Sequence, residues 1–144
     1  MKKKDCFLLI LLVMALCLSF SCCKIQDRYD ITGTWHFYVY RDPLGNFENN
    51  YKFVGTETKG ILDFGSAGGV SGEYTVADDR IFFRITAMRS SYANVNEYDG
   101  VFITNDLMKG TLKGKHLEMG QVISTWSGVW NARRVGSRAR RAIF

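Results

Sequence analysis

The stretch Thr34-Trp35-His36-Phe37-Tyr38-Val39-Tyr40 decides the fold. Its most apolar residues, Trp35, Phe37 and Val39, fall at every second position, and the residues between them carry polar groups. A hydrophobic period of two, rich in aromatic and β-branched residues, indicates a β-strand that is wet on one face. The same alternation recurs at 62–64, 70–76, 81–85, 101–103, 108–112 and 126–132. The chain after residue 24 is therefore predicted to be all-β.

Short segments rich in Asp, Asn and Gly separate these predicted strands. They lie at 42–46, 65–69, 77–80, 104–106 and 113–115. Such turn-forming connections favour antiparallel neighbours over crossovers. Closing the sheet removes exposed strand edges, so the sequence predicts an up-and-down antiparallel β-barrel of about eight strands. A two-sheet sandwich is the alternative.

The first residues have the pattern of an export signal. Lys2 to Lys4 precede an apolar run from Phe7 to Phe20, and Ser21 and Cys22 follow. A basic start, an apolar segment and small residues before a cut are typical of a secretory signal peptide, here predicted for residues 1–21. The 14 residues of the run would extend about 21 Å as a helix, which is short of the bilayer core of about 30 Å. This length disfavours a membrane-spanning helix; a plain signal peptide with incidental cysteines is the other alternative.

Cys22 stands directly after the predicted cut and resembles the cysteine of a bacterial lipobox, with Cys23 as the alternative. The resemblance implies that the thiol receives diacylglycerol, that residues 22–29 form a lipidated tether, and that membrane lipid is a partner of the protein. Two or three acyl chains give durable anchoring. The expected location is the bacterial cell envelope, lipid-anchored at the outer membrane, with the periplasmic and surface faces both open.

Cysteine placement restricts the chemistry of the exported domain. The four cysteines are Cys6, Cys17, Cys22 and Cys23, so the chain from residue 24 onward has none. The domain must therefore fold without disulfides, and it cannot use a thiolate metal site or a cysteine nucleophile.

Charge is concentrated at the carboxyl end. Residues 22–132 hold 11 Lys and Arg against 13 Asp and Glu, whereas residues 133–144 hold five Arg and no acid. The basic character of the chain thus belongs to its end, and residues 136–144 are predicted to form a basic tail. We expect no nucleic-acid partner, because an exported protein meets little nucleic acid; the tail is expected to be disordered or to touch anionic headgroups.

Two motifs resemble a known superfamily. Asp30-Ile31-Thr32-Gly33-Thr34-Trp35 contains a Gly-x-Trp motif similar to that of lipocalins and avidins, and residues 126–134 resemble the closing strand of lipocalin-like domains in bacterial lipoproteins. Residues 30–135 thus resemble a lipocalin-like domain of the calycin superfamily. The resemblance implies a structural pair at the closed end of the barrel, Trp35 with Arg134, or with Arg133 as the alternative. A guanidinium on an indole face is worth about 0.5–2 kcal/mol.

Two functions remain open. The first is a lipocalin-like lipoprotein that binds a small, mostly apolar ligand inside the barrel. The residues predicted to line such a cavity, or otherwise to fill the core, are Phe37, Phe64, Tyr74, Phe83, Met108 and Trp126. The second is a solid barrel whose loops, including a predicted polar loop at 88–99, bind a protein partner as an inhibitor or adhesin would.

Catalytic and metal-binding patterns are weak. The two histidines, His36 and His116, are far apart in sequence and are interpreted as surface residues without a carboxylate nearby. No cluster of metal ligands is recognisable. The prediction is therefore a protein that is not an enzyme, with no catalytic residues, no metal and no cofactor. The oligomeric state is left open.

Overall fold

The computed structural model describes residues 29–136. These residues form eight antiparallel strands that close into one barrel, so the predicted fold class is confirmed. The strands are β1 (Gly33–Asp42), β2 (Gly45–Gly55), β3 (Lys59–Asp63), β4 (Val70–Ala77), β5 (Arg80–Met88), β6 (Tyr92–Thr104), β7 (Leu107–Glu118) and β8 (Gln121–Arg134). The predicted signal peptide, the lipidation site Cys22, nearly all of the tether and residues 137–144 of the tail lie outside the described residues.

Each strand pairs with the next, and β1 pairs with β8 to close the barrel. This last pairing runs from Trp35 opposite Arg134 to Asp42 opposite Ser127. Closure satisfies the backbone groups that an open sheet would leave at its edges. Within residues 29–136 no helix has the length and apolar character needed to cross a membrane.

Two predicted connections are wrong. Residues 113–115 were expected to form a turn, but they lie inside β7. Residues 88–99 were expected to form a polar loop, but β6 already begins at Tyr92. In both segments polar or glycine residues occupy inward positions near one end of the barrel, so the alternation that identifies a strand is missing there.

Aromatic side chains fill the middle of the barrel. Phe37 on β1 reaches across to Phe83 on β5, and their ring centroids are 5.5 Å apart. Because β1 and β5 stand on opposite sides of an eight-stranded barrel, this contact leaves no open channel at that level. Phe83 also stacks on Tyr98 of β6, with ring centroids 4.2 Å apart and planes within 7°. The barrel therefore has a solid core.

The two ends of the barrel differ in their connections. We call one end the floor: it carries the connections at 56–58, 78–79 and 105–106 together with residues 29–32. The opposite end, the mouth, carries the connections at 43–44, 64–69, 89–91 and 119–120. The floor-side segment is packed into the barrel, since Ile31 is fully buried and Tyr29 stacks on Phe102 at 4.6 Å.

Candidate functional site

The floor is built around Trp35. Its side chain is fully buried, and its Nε1 donates a hydrogen bond to the Ile31 carbonyl at 2.8 Å. The Arg134 guanidinium lies over the indole, with Cζ 4.6 Å from the ring centroid. The structure thus brings together the two residues that the resemblance pairs. Arg133, the alternative, stands opposite His36 in the β1–β8 register.

The N–H groups of Arg134 donate hydrogen bonds to other residues of the floor. They reach the carbonyls of Thr32, at 2.5 Å, and of Asp30. Its Nε lies 3.4 Å from both the Asn105 carbonyl and the Asp106 carboxylate. Hydrogen bonds from Thr32 lower the pKa of Asp30, against the opposing effect of partial burial. A guanidinium held by several protein acceptors is a structural clamp, so the floor is a closed end.

The core occupies most of the predicted ligand cavity. Four of the six predicted lining residues are at most 2% exposed, namely Phe37, Tyr74, Phe83 and Met108. The Phe64 ring is only partly buried and packs against Tyr51, with centroids 6.0 Å apart. Only Trp126 of the six lines the open cavity at the mouth. The cavity assignment is corrected accordingly, because side chains from opposite walls already meet in the middle of the barrel.

The mouth contains a cavity of about 550 Å³. Side chains of β1, β5, β6, β7 and β8 and of the first mouth connection line it: Arg41, Pro43, Leu44, Ala87, Asn94, Asn96, His116, Ser124, Thr125 and Trp126. Pockets that bind small molecules have volumes of about 300–1,000 Å³ and combine apolar walls with a few polar groups. The mouth meets both conditions.

Trp126 forms a fixed aromatic wall of this cavity. It stands opposite Gly114 in the β7–β8 register, and a Cβ added to Gly114 would lie 2.0 Å from the indole Nε1. The indole therefore crosses β7 through the space that glycine leaves, and its Nε1 donates a hydrogen bond to Asn96 Oδ1 of β6 at 3.0 Å. Three strands thus hold one ring in place.

A second polar group, around His116, stands nearer the rim. Its Nδ1 lies 2.7 Å from Asn94 Oδ1, and its Nε2 lies 3.2 Å from Glu118 Oε1. Ser124 is opposite His116 in the β7–β8 register. Both ring nitrogens of His116 already have partners, so neither is free to activate the Ser124 hydroxyl as a base would.

The interpretation of both histidines as lacking carboxylates is wrong. His36, on the outer wall, has its Nδ1 2.7 Å from Asn50 Oδ1 and its Nε2 3.2 Å from Glu48 Oε2. The pairing of β1 with β2 brings Glu48 to His36. This contact cannot be predicted from the spacing of residues along a single strand. Among residues 29–136 no group of three or more His, Cys, Asp or Glu is placed to hold a metal ion.

Arg41 is the cation of the mouth. On β1 it occupies the next inward-facing position after Phe37 and Val39. Its Cζ lies 4.4 Å from the centroid of the Phe47 ring. Its Nε is buried, and no residue within 29–136 accepts a hydrogen bond from it. An N–H group removed from water without a partner carries a desolvation cost of about 1–3 kcal/mol.

Two tyrosines of the packed core have their hydroxyl groups within the influence of Arg41. Burial raises the pKa of both Tyr51 and Tyr98, and the hydroxyl of Tyr98 is hydrogen-bonded to that of Tyr51. The charge of Arg41 acts on both hydroxyls in the opposite direction. The surface beneath Arg41 is therefore neutral and aromatic at physiological pH.

A larger depression, of about 740 Å³, lies on the outer wall. Exposed Tyr38, Tyr40 and Val129 contribute to its lining. Two of its charged groups form an ion pair, since Arg80 Nη2 contacts the Asp99 carboxylate at 3.0 Å. Glu48 and Lys109 also line this depression, so its lining carries charges of both signs.

Sequence reasoning did not place four polar residues in the mouth: Arg41, Asn94, Asn96 and His116. It assigned Asn94 and Asn96 to a polar loop and His116 to the surface. The alternation of inward and outward positions along each strand indicates that the first three point inward. Arg41 follows Val39 by two positions, and Asn96 and Asn94 precede buried Tyr98 by two and four. Extending the inward series of each strand past its last apolar residue would have identified them.

The closed eight-stranded antiparallel architecture fits a calycin-like barrel. Comparison with protein-family models gives no match, and comparison with curated proteins gives none either. Among solved structures, the chain is similar to the one described as EF1p2_mFAP2b bound to DFHBI. The TM-score is 0.54 and the identity 12%, over 72% of this chain and 93% of that chain. At this identity the similarity shows a shared fold.

Proposed function

We propose that this protein binds a small ligand in the mouth of its barrel. The main support for this proposal is the cavity of about 550 Å³ that lies above the filled core. The Trp126 indole is fixed on one of its walls, and polar groups converge beside it. The solved structure that shares the fold is described as bound to a small molecule, DFHBI, which supports small-ligand binding as the class of function. The ligand occupies the mouth, because Phe37 and Phe83 close the barrel below it.

Binding rather than catalysis is the proposed role of these residues. Each ring nitrogen of His116 is engaged, by Asn94 and by Glu118, and the Trp126 indole is fixed by Asn96. Groups that hold one another in this way give a preorganised surface, which favours binding by reducing the entropy lost on association.

Native mass spectrometry of the protein purified gently from its own organism tests this proposal. We expect an additional small-molecule mass on the wild-type protein and its loss in Trp126→Ala, which removes the aromatic wall. Tyr40→Ala is the matched control, because Tyr40 is an exposed aromatic residue of the outer depression. A ligand mass lost in Tyr40→Ala and kept in Trp126→Ala would contradict the proposal and assign the ligand to the outer wall.

We further propose that an acyl chain anchors the protein in the bacterial cell envelope, at the outer membrane. The support is the sequence pattern of residues 1–23, with its basic start, apolar run and Cys22. Incorporation of labelled fatty acid should be lost in Cys22→Ala and kept in Cys23→Ala. The reverse result would place the acyl chain on Cys23.

A protein partner is the second candidate function. Large apolar side chains are exposed around the mouth connections, where Met119 is 95% and Met88 60% exposed, and Leu44, Val122 and Ile123 are more than half exposed. Exposed apolar patches of this kind mark interaction surfaces. The same mass spectrometry distinguishes the two functions, because a partner would add the mass of a protein.

A further inference from the structure

Two side-chain amides of the mouth keep a free hydrogen-bond donor. The Oδ1 atom of Asn96 accepts from Trp126, and the Oδ1 atom of Asn94 lies within hydrogen-bond distance of His116 Nδ1. Within residues 29–136, neither Asn94 Nδ2 nor Asn96 Nδ2 forms a hydrogen bond with another residue. An amide whose oxygen is occupied presents its NH₂ group as a donor. Two such donors therefore remain for a ligand on the β6 wall.

The lining of the mouth also contains a positive charge and no acid. Arg41 is the charged lining residue, and neither Asp nor Glu is among the lining residues. In the described part of the chain Arg41 has no ion pair and no hydrogen bond, and its Nε is buried. Arg41 as a whole is half-buried. A buried N–H group such as its Nε normally has an acceptor, as the N–H groups of Arg134 have at the floor.

The surroundings of Arg41 restrict the shape of the missing partner. The Phe47 ring covers one face of the guanidinium, and Trp126 lines the same cavity. An acidic group could thus meet the guanidinium while an apolar, planar body contacts the indole. Guanidinium groups bind carboxylate, sulfonate or phosphate oxygens through charge-assisted hydrogen bonds, which are about twice as strong as neutral ones.

We propose that the mouth selects small acidic molecules with an apolar, planar body, and that Arg41 is the specificity-determining residue that receives the acidic group. This inference rests on the proposed function and names its ligand class. Arg41 supplies the counter-charge, Asn94 and Asn96 supply further donors, and Trp126 supplies the contact for the planar body.

Two fluorescent probes that differ by one acidic group test the inference. 8-Anilinonaphthalene-1-sulfonate carries a sulfonate, and N-phenyl-1-naphthylamine has the same aromatic body without it. Titration of the full chain should give one sulfonate-probe site per molecule, with a Kd at least about tenfold lower than that of the neutral probe. A charge-assisted hydrogen bond of about 1.5–3 kcal/mol corresponds to a preference of about 10- to 150-fold.

Variants separate the inference from the proposed function. Arg41→Gln should remove the preference, with the neutral probe changed by less than about threefold, and Arg41→Lys should keep most of it. Arg89→Gln is the matched control: Arg89 lies in a mouth connection outside the lining and donates to the Gly68 carbonyl at 3.1 Å. It should bind both probes as the wild type does.

Each outcome has one interpretation. If Trp126→Ala loses both probes but Arg41→Gln keeps the preference, the acid-selective inference is wrong and the mouth site stands. If Trp126→Ala binds both probes unchanged, the mouth is not the site and both proposals are wrong. Equal loss in Arg89→Gln and Arg41→Gln would show general attraction by positive charge and would overturn the role of Arg41.

Discussion

Arg134 and Arg41 occupy opposite ends of the barrel, and both guanidiniums cover an aromatic ring. Arg134 lies over Trp35 at 4.6 Å and Arg41 over Phe47 at 4.4 Å. They differ in what receives their N–H groups. At the floor, backbone carbonyls and Asp106 receive those of Arg134, whereas at the mouth the Nε of Arg41 is buried and lacks an acceptor in the described chain. A satisfied arginine stabilises the fold, whereas the unsatisfied Nε of Arg41 is the feature from which we propose a ligand contact.

The largest expected contrast is between the two aromatic ends of the barrel. Trp35→Ala should lower the free energy of unfolding by about 3–5 kcal/mol, the range for a buried large side chain. Trp126→Ala should lower the free energy of unfolding by about 1–2 kcal/mol. The expected loss is smaller because the Trp126 indole is partly exposed and forms one hydrogen bond, to Asn96. Urea unfolding of both variants measures the difference. Equal losses would show that the mouth is as much a part of the core as the floor.

The same substitution at the two arginines tests the contrast directly. Arg134→Met should cost about 2–3 kcal/mol of unfolding free energy, since it removes a cation–π contact and leaves carbonyls unpaired. Arg41→Met should change that free energy by less than about 0.5 kcal/mol or raise it, because it removes a partly buried charge without a partner. Thermal and urea unfolding at moderate salt give both values. A loss at Arg41 as large as that at Arg134 would mean that Arg41 has a structural partner.

The smallest expected effect concerns alkaline pH and the tyrosines below the mouth. Burial raises the pKa of Tyr98 above its ordinary value of 10.0. In the unfolded chain this tyrosine ionises near pH 10, while in the folded protein it keeps its proton. Its contribution to stability is therefore complete below about pH 10 and is lost as the pH rises further, by about 1 kcal/mol over one pH unit.

Unfolding measured between pH 9 and pH 11 checks this expectation. Tyr98→Phe should reduce the alkaline loss of stability, whereas Tyr92→Phe, at an exposed tyrosine of the same strand, should leave it unchanged. If both variants lost stability with the same pH slope as the wild type, burial of Tyr98 would not be the source of the slope.

Most of the lower half of the barrel could be predicted from the sequence, because there the inward positions are apolar. The exception is β2, which was not identified although its Tyr51 and Phe53 are buried. The alternation of Trp35, Phe37 and Val39 identified β1, and Trp130 and Ala132 identified the lower part of β8. Closure of the barrel followed from short turns and from the cost of open edges. The pairing of Trp35 with Arg134 came from the resemblance, since the two residues are 99 positions apart.

The mouth could not be predicted in this way, because its inward positions are polar or glycine. Asn94 and Asn96 made the start of β6 resemble a loop, and Gly114 between two lysines made the middle of β7 resemble a turn. Whether the core is filled depends on how far side chains reach across the barrel, as Phe37 and Phe83 do. Prediction from hydrophobic alternation fails where a strand carries polar or glycine residues at inward positions. Such departures from the pattern that favours folding are often found at functional sites.

The route of the chain at the floor has a practical consequence for handling the protein. The chain enters the described barrel at Tyr29, stacked on Phe102, and leaves it next to the start of β1, where the Val135 N–H donates to the Thr34 carbonyl at 2.8 Å. Both ends of the barrel sequence thus lie on the side away from Arg41 and Trp126. Coupling to a bead, a sensor chip or a fused domain at either end of the barrel sequence should leave the mouth turned towards the solution. A circularly permuted gene that joins these neighbouring ends should preserve it as well.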